Sequence, residues 1–565
     1  MKTINKITAL LFLLFFIVSC NSKVEDDIIE KEEIKPEVSE YTVYEALENK
    51  KKSHFKDEDV VYDASNMTTI LFSENNAVIN GDGASYNNKA VLISKPGVYH
   101  LSGYSADGRI IVDVDKEEKV QIVLDNIDIT YKNGSPFFIK SCKRTTIILA
   151  ENSDNYLSDH NNYIYDLPDE KEPNATLFGK DDFTIFGNGK LTVTGKFNDA
   201  IGGKDGLVIK DAELSIYGVD DGMQIKDYLI VDNAKLKIKA LDDGIKIFEE
   251  KDEQKGYFYM KSGEIDINSG GDGIQVERDL LISDGKINIL SGEGHTFDNV
   301  EDLSLKGLKA NDAIVIDGGS FVIDAADDAL NSKGIISING GVFDLSTGDD
   351  AMHANVALGV TDGEINVLIS KDGLEGNIIN IQGGDININA LTDGLNILDE
   401  EEPELKSTAL IDDQLKKSHL YIKGGKINIT AMDDGVDAFD TFVMEGGKLI
   451  IHIPEGGDKA LDVKENLIVK DGTIFATQPE DMILLPIENS EQNIAIINLK
   501  DIVNKETVLS IENDEGEIYS SSVNEKYKAF FFSMPDLKDN SEYKVFVDND
   551  FQLSFTIADL YSFLE

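Results

Sequence analysis

The chain of 565 residues has no tryptophan, only 2 cysteines and only 10 prolines. Without tryptophan it lacks the largest flat side chain with which a protein surface grips a ligand. Two cysteines exclude a disulfide framework, and Cys142, set in an apolar stretch, reads as a small buried hydrophobe. Arginine occurs only as Arg109, Arg144 and Arg278, and the 53 basic residues are outnumbered by 105 acidic ones, for a net charge of −52. A surface of that sign repels nucleic acid and anionic membrane, which excludes both as partners. The one long apolar run, Ile7 to Val18, is too short to span a bilayer.

What is present in quantity is a short motif at a fixed spacing. Asp221-Gly222-Met223 returns as Asp243-Gly244-Ile245, and later as Asp328-Ala329-Leu330, Asp350-Ala351-Met352, Asp372-Gly373-Leu374 and Asp393-Gly394-Leu395. The step is 22 residues, closing to 21 at the last. One period, such as Asp221 to Asp242, holds three runs of alternating apolar residues: Met223 and Ile225, Leu229 and Val231, Leu236 and Ile238. Period-2 alternation broken by Gly, Asp and Asn predicts short strands and tight turns, with no helical period. Three strands per 22 residues predict an all-β fold, a right-handed parallel β-helix solenoid. Glycine pairs such as Gly340-Gly341 and Gly383-Gly384 supply the positive φ its corners need.

Stacking at that period aligns equivalent positions. The inward column is Met223, Ile245, Ile274, Leu308, Leu330, Met352, Leu374, Leu395, Val436 and Leu461, all apolar. The adjoining outward column is Gln224, Lys246, Gln275, Lys309, Asn331, His353, Glu375, Asn396, Asp437 and Asp462, all polar. Its members Asn331, His353, Glu375, Asn396 and Asp437 are the expected ligand-binding face. Beside it run acids in register: Asp220 and Asp221, Asp242 and Asp243, Asp327 and Asp328, Asp349 and Asp350, Asp372, Asp393, Asp433 and Asp434. Carboxylates stacked about 5 Å apart repel unless a cation lies between them. Oxygen-only donors on turns suit Ca²⁺, which takes six to eight oxygens in flexible geometry, so these twelve are the expected calcium ligands. The alternative for each is a turn aspartate capping its own backbone.

Lys2 and Lys6 precede the apolar run, which ends in Ile17-Val18-Ser19-Cys20. Residues 1–20 therefore read as a lipoprotein signal peptide, with Cys20 the lipidated first residue of the mature chain. The expected location is the bacterial cell envelope, on its outer surface, with membrane contact through the lipid alone. Residues 21–59 are charged and read as a tether with a short helix between Tyr41 and Lys52, residues 60–486 as the repeat domain capped by Val61 to Leu149, and 487–565 as a small antiparallel β unit. The expected state is a monomer.

Glu172-Pro173-Asn174-Ala175-Thr176-Leu177-Phe178, then Lys180-Asp181-Asp182, Asp327 to Asn331, Asp349 to His353, Gly373-Leu374-Glu375-Gly376 and Asp393 to Asn396 follow one another in a fixed order, closed by Pro535-Asp536-Leu537-Lys538 and Tyr543. Over about residues 60 to 560 this ordered set resembles a bacterial family of carbohydrate-binding β-helix proteins that look like pectate and polysaccharide lyases. The resemblance implies bound calcium and affinity for cellulose-like or acidic polysaccharide. A polysaccharide lyase, which needs a cation and a strong base, is the alternative, with Lys246 and Lys371 as possible bases. A surface spacer with no site is the third reading. Of the tyrosines, Tyr217, Tyr228, Tyr257 and Tyr259 could replace tryptophan as sugar platforms.

Overall fold

The computed structural model describes residues 41–565 except 75, 166–168, 170, 299–302, 399–417, 488, 558–560 and 565. Nearly everything described is β. The inward column forms in the expected register: Ile201, Met223, Ile245, Ile274 and Leu308 pair in parallel, then Leu330, Met352, Leu374, Leu395, Val436 and Leu461. All of these side chains are buried in one hydrophobic cluster running from Ile70 to Phe531. Alternation decides the sides: Ile245 and Ile247 are buried while Lys246 between them reaches solvent.

The right-handed β-helix solenoid is not the architecture and is corrected here to a closed parallel β-barrel of 14 strands that carries many extra strands. The described strands hydrogen-bond into one sheet of 43, beside a separate sheet of four. The spacing fixes which residues stack on which, but not how the sheet bends between strands. Tyr228–Ala240 is one unbroken strand where the sequence predicts two, pairing with both Gly206–Lys210 and Glu213–Gly218. Tyr257–Ser269 continues it, so the sheet turns its corners without interruption. Positive φ serves those corners: Gly341 has φ +108° and Gly384 φ +92°.

The first strands are antiparallel hairpins, Thr68–Ser73 with Asn76–Asn80 and Ala84–Asn87 with Ala90–Ile93. The C-terminal segment is divided. Ile494–Val503 and Tyr527–Ser533 join the main sheet, Tyr527–Ser533 lying antiparallel on Asn466–Gln478. Thr507–Asn513, Gly516–Val523, Glu542–Val547 and Asp550–Thr556 form the separate antiparallel sheet. Cys142 is buried and unpaired, between Phe137–Ser141 and Arg144–Leu149.

The expected signal peptide, Cys20 and the first half of the tether lie outside the described residues. The second half is no tether but a strap packed on the sheet. Thr42 caps the helix Val43–Glu48 through a capping box with Glu45. Val43 and Ala46 bury against Leu281, Val315 and Ala357. The Val43 N–H donates to Asp317 (3.2 Å), and Asn339 Nδ2 donates to the Tyr41 carbonyl (3.0 Å). Further on, Lys51 Nζ bridges Asp205 (2.7 Å) and Asp227 (2.8 Å), and His54 Nδ1 meets the Tyr228 hydroxyl at 2.7 Å. Basic residues of the strap thus neutralise a row of acids 150 to 180 positions away, which no repeat period encodes.

Candidate functional site

The second aspartate of each motif turns inward at the edge of the sheet, where its two oxygens have different tasks. One accepts the backbone N–H of the equivalent residue in the next layer. Asp221 Oδ1 takes the Asp243 N–H (3.1 Å), Asp243 Oδ1 that of Asp272 (2.8 Å), Asp328 Oδ1 that of Asp350 (3.0 Å) and Asp350 Oδ1 that of Asp372 (3.2 Å). Asp372, Asp393 and Asp434 continue the series to Lys459. A hydrogen bond to a charged acceptor contributes about 1.5–3 kcal/mol, so this recurrence has a structural cause apart from any ligand.

The other oxygen faces the outward column. Gln224 donates to Asp221 (2.9 Å), Lys246 to Asp243 (2.7 Å), Asn331 to Asp328 (2.7 Å) and Asn396 to Asp372 (3.1 Å). His353 stands at the centre of the expected face, its Nδ1 2.8 Å from Glu375 and 3.2 Å from Asp350. Glu375 also accepts from Asn396 at 2.8 Å. Parallel pairing stacks Asn331, His353, Glu375, Asn396 and Asp437 on consecutive layers. Asn331, His353, Asn396 and Asp437 are half-buried and Glu375 is buried. All five are therefore brought together, and each is already oriented by a neighbour.

Compensation of charge is uneven along the ladder. Lys306 occupies an aspartate's place in its layer and sends Nζ to Asp328 (2.7 Å) and Asp327 (2.8 Å). Lys309 pairs with Asp272 at 3.0 Å. Burial would lower the His353 imidazole, but the hydrogen bonds it donates to Asp350 and Glu375 outweigh it and hold its pKa at about 10, so the ring is a cation. Asp372 is held below its usual range, since Thr392 and the Asp393 N–H outweigh its burial. Elsewhere burial dominates. It lifts Asp199 to about 8, and Asp221, Asp393 and Asp434 to about 7, with neighbouring aspartates adding to the rise in each case.

Among the described residues, five groups bring three ligand atoms within 4.8 Å of one another: Asp220, Asp221 and Asp242; Asp327, Asp328 and Asp349; Asp350, His353 and Glu375; Asp433, Asp434 and Asp458; and Asp434, Asp437 and Asp462. The fit to Ca²⁺ differs among them. Lys306 already fills the Asp327–Asp328 group, and the imidazolium fills the third. The last two share Asp434 and offer hard carboxylate oxygens, which a calcium ion would have to take from Lys459, 2.7 Å from Asp462, and from Lys464, 3.4 Å from Asp437. Asp462 is expected from the sequence only as a member of the outward column, and Asp458, Asp199 and Asp272 are not among the twelve expected calcium ligands. All four occupy ladder positions, so register alone could have found them.

Tyr228 and Tyr257 are not sugar platforms: they are buried under the strap and stacked on each other at 5.3 Å. Tyr217 is exposed and Tyr259 half-buried. Lys246 is held by Asp243, and Lys371 by Asp349 at 2.9 Å. The excursion expected to wall the face, 399–418, lies outside the described residues save its last position.

A solved structure described as the polysaccharide lyase-like protein from C. thermocellum, a gadolinium derivative, matches 44% of this chain and 96% of its own, with 31% identity and a TM-score of 0.40. A carbohydrate-binding domain-containing protein of Acetivibrio thermocellus is 41% identical over 213 residues, 38% of this chain and 74% of that protein. The model of the family described as carbohydrate-binding domain-containing protein matches residues 87–351 and 350–497. The family model covers the ladder and the whole outward column, and the chain belongs to the carbohydrate-binding domain-containing protein family.

Proposed function

We propose that the protein binds polysaccharide, cellulose-like or acidic, along the outward column, with Asn331, His353, Glu375, Asn396 and Asp437 making the contacts. The observation that carries this reading is the column itself. It presents one oriented polar side chain per layer over four steps of strand stacking, about 19 Å, a length that suits several sugar units in a row. Direct hydrogen bonding takes the place of ring stacking in a chain without tryptophan. Ca²⁺ would be held by Asp433, Asp434, Asp437, Asp458 and Asp462, where it would offset carboxylate repulsion and could bridge to sugar oxygens. Binding is favoured over lyase chemistry because both candidate lysine bases are held in ion pairs.

Glu375→Ala combined with Asp437→Ala is expected to weaken pull-down on insoluble glucan at least tenfold, about 1.4 kcal/mol, with the melting transition still cooperative. Undiminished binding by that folded double variant would place the site elsewhere.

The reading extends to a monomer on the outer face of the cell envelope, anchored by lipid on Cys20. Cys20→Ser should move the protein from the membrane fraction to the soluble one. Retention in membranes would rule out the anchor.

A further inference from the structure

The outward column does not stop at Gln224. Parallel register carries it through Gly202, Phe178 and Phe138 to Ile111, and its polar side chains give way to apolar ones. Arg109 opens the strand Arg109–Asp113 at that end. Its guanidinium lies 5.0 Å from the centre of the Tyr131 ring and 6.0 Å from that of Phe138. Among the described residues it has no carboxylate partner and no hydrogen bond, and its Nε is buried without a partner. Arg278 Nε is likewise buried without a partner, but the other two guanidiniums each have a carboxylate: Arg144 is paired with Asp59, and Arg278 with Asp312 at 2.9 Å.

That contrast needs a cause in a chain with twice as many acids as bases. Contact with an aromatic face contributes about 0.5–2 kcal/mol to a cation but satisfies none of the guanidinium's five N–H donors. The nearby acids are already engaged. Asp107 is ion-paired with Lys89, Asp159 accepts from Tyr163 (2.8 Å) and from the Lys196 N–H (2.5 Å), and Glu172 holds Lys204 at 2.7 Å. Lys180 adds a second cation, 5.8 Å from the centre of the Phe138 ring. Tyr163 stacks on Phe197 at 4.1 Å and 11°, and the Phe197 ring is 37% exposed. Burial pushes the Tyr163 phenol up and the Arg109 charge acts against that rise, so the two groups sense each other.

We propose that Arg109, with the rings of Tyr131, Tyr163 and Phe197, binds the carboxylate of an acidic sugar, a uronate unit, at the end of the outward column opposite Glu375 and Asp437. The planar guanidinium matches a carboxylate in two parallel hydrogen bonds, and the exposed Phe197 ring, beside the half-buried Tyr131 and Tyr163, suits the apolar face of a pyranose. The net charge of −52 does not forbid this. The carboxylates of Asp107, Asp159 and Glu172 are engaged by the partners given above, and exposed charges farther off than about 8 Å are screened at physiological ionic strength. That the carboxylate belongs to a sugar rests on the polysaccharide reading above; that the ligand is an anion rests on Arg109.

The test is calorimetric titration of the full chain, in EDTA, with tetragalacturonate and separately with cellotetraose. EDTA removes calcium bridging as a route for the uronate. Wild type should bind tetragalacturonate, Arg109→Gln should weaken it at least tenfold, and binding of cellotetraose should be unchanged in the variant. Should Arg109→Gln not fold, Phe197→Ala, at an exposed ring, should weaken tetragalacturonate in the same selective way. Uronate affinity within twofold of wild type in a folded Arg109→Gln overturns the proposal. So does wild-type binding of cellotetraose without tetragalacturonate, which leaves the polysaccharide reading standing. Binding of neither sugar overturns both.

Discussion

The protein should melt at a higher temperature at pH 5 than at pH 8, and calcium should close part of that gap. Asp199, lifted to about 8, and Asp221, Asp393 and Asp434, lifted to about 7, are the source. Between pH 4 and 8 the folded state keeps protons that the unfolded chain, with carboxyls near 3.8, has released. Stability is therefore full below about pH 4 and lost as pH rises through these values. His353, raised to about 10, acts in the same sense, since its contribution is complete below 6.5 and lost on the way to 10. Asp372 opposes them, but only below its ordinary value, because a lowered carboxyl loses its contribution as pH falls. Calcium competes with protons at Asp434, the one of these carboxylates in the proposed calcium site. At pH 8 and a hundredfold excess over Kd it adds about 2.7 kcal/mol, or roughly 5 °C at about 2 °C per kcal/mol for a large domain. At pH 5 the shift should shrink to a fraction of that. Equal melting temperatures at the two pH values, or an equal calcium shift at both, would contradict the electrostatic account of the ladder.

Asp328→Ala should be among the most damaging single substitutions in the molecule. Oδ1 of Asp328 accepts the Asp350 N–H, while Oδ2 takes Lys306 and Asn331 at 2.7 Å each. Truncation leaves a buried N–H without an acceptor and a buried ammonium with Asp327 alone. Breaking a buried pair from one side costs about 3–5 kcal/mol, which would appear as a lower urea midpoint at an unchanged slope. Asp328→Asn keeps an oxygen for the N–H and should lose less, about 1–2 kcal/mol. If alanine and asparagine were equally mild, the aspartates would owe their recurrence to something other than the interlayer bond.

The register of the sheet could be read from the chain because it depends on local alternation and on a constant step. Met223 and Ile245 face inward, and Gln224 and Lys246 outward, for reasons present within a few residues of each. Closure into a barrel depends instead on strands such as Tyr228–Ala240 passing through a corner unbroken, which three separate apolar runs do not reveal. The aspartates were read first as metal ligands because their stacking implies repulsion. Part of that repulsion is relieved by Lys306 and His353, whose positions in the period were visible but whose reach was not. The strap was missed for a different reason: Lys51 meets Asp205 and Asp227 through contacts that follow no period. Arg109 was noted only as one of three arginines, since a missing partner is a fact of three dimensions.

The strap also imposes an order of events. Its helix is among the first described segments to be synthesised, yet Val43 and Tyr41 find their partners 274 and 298 residues later. At the usual 5 to 20 residues per second of synthesis, that is a delay of about 14 to 60 s. Contacts that close last are absent from the folding barrier, so Lys51→Ala would hasten unfolding and leave the rate of folding nearly untouched.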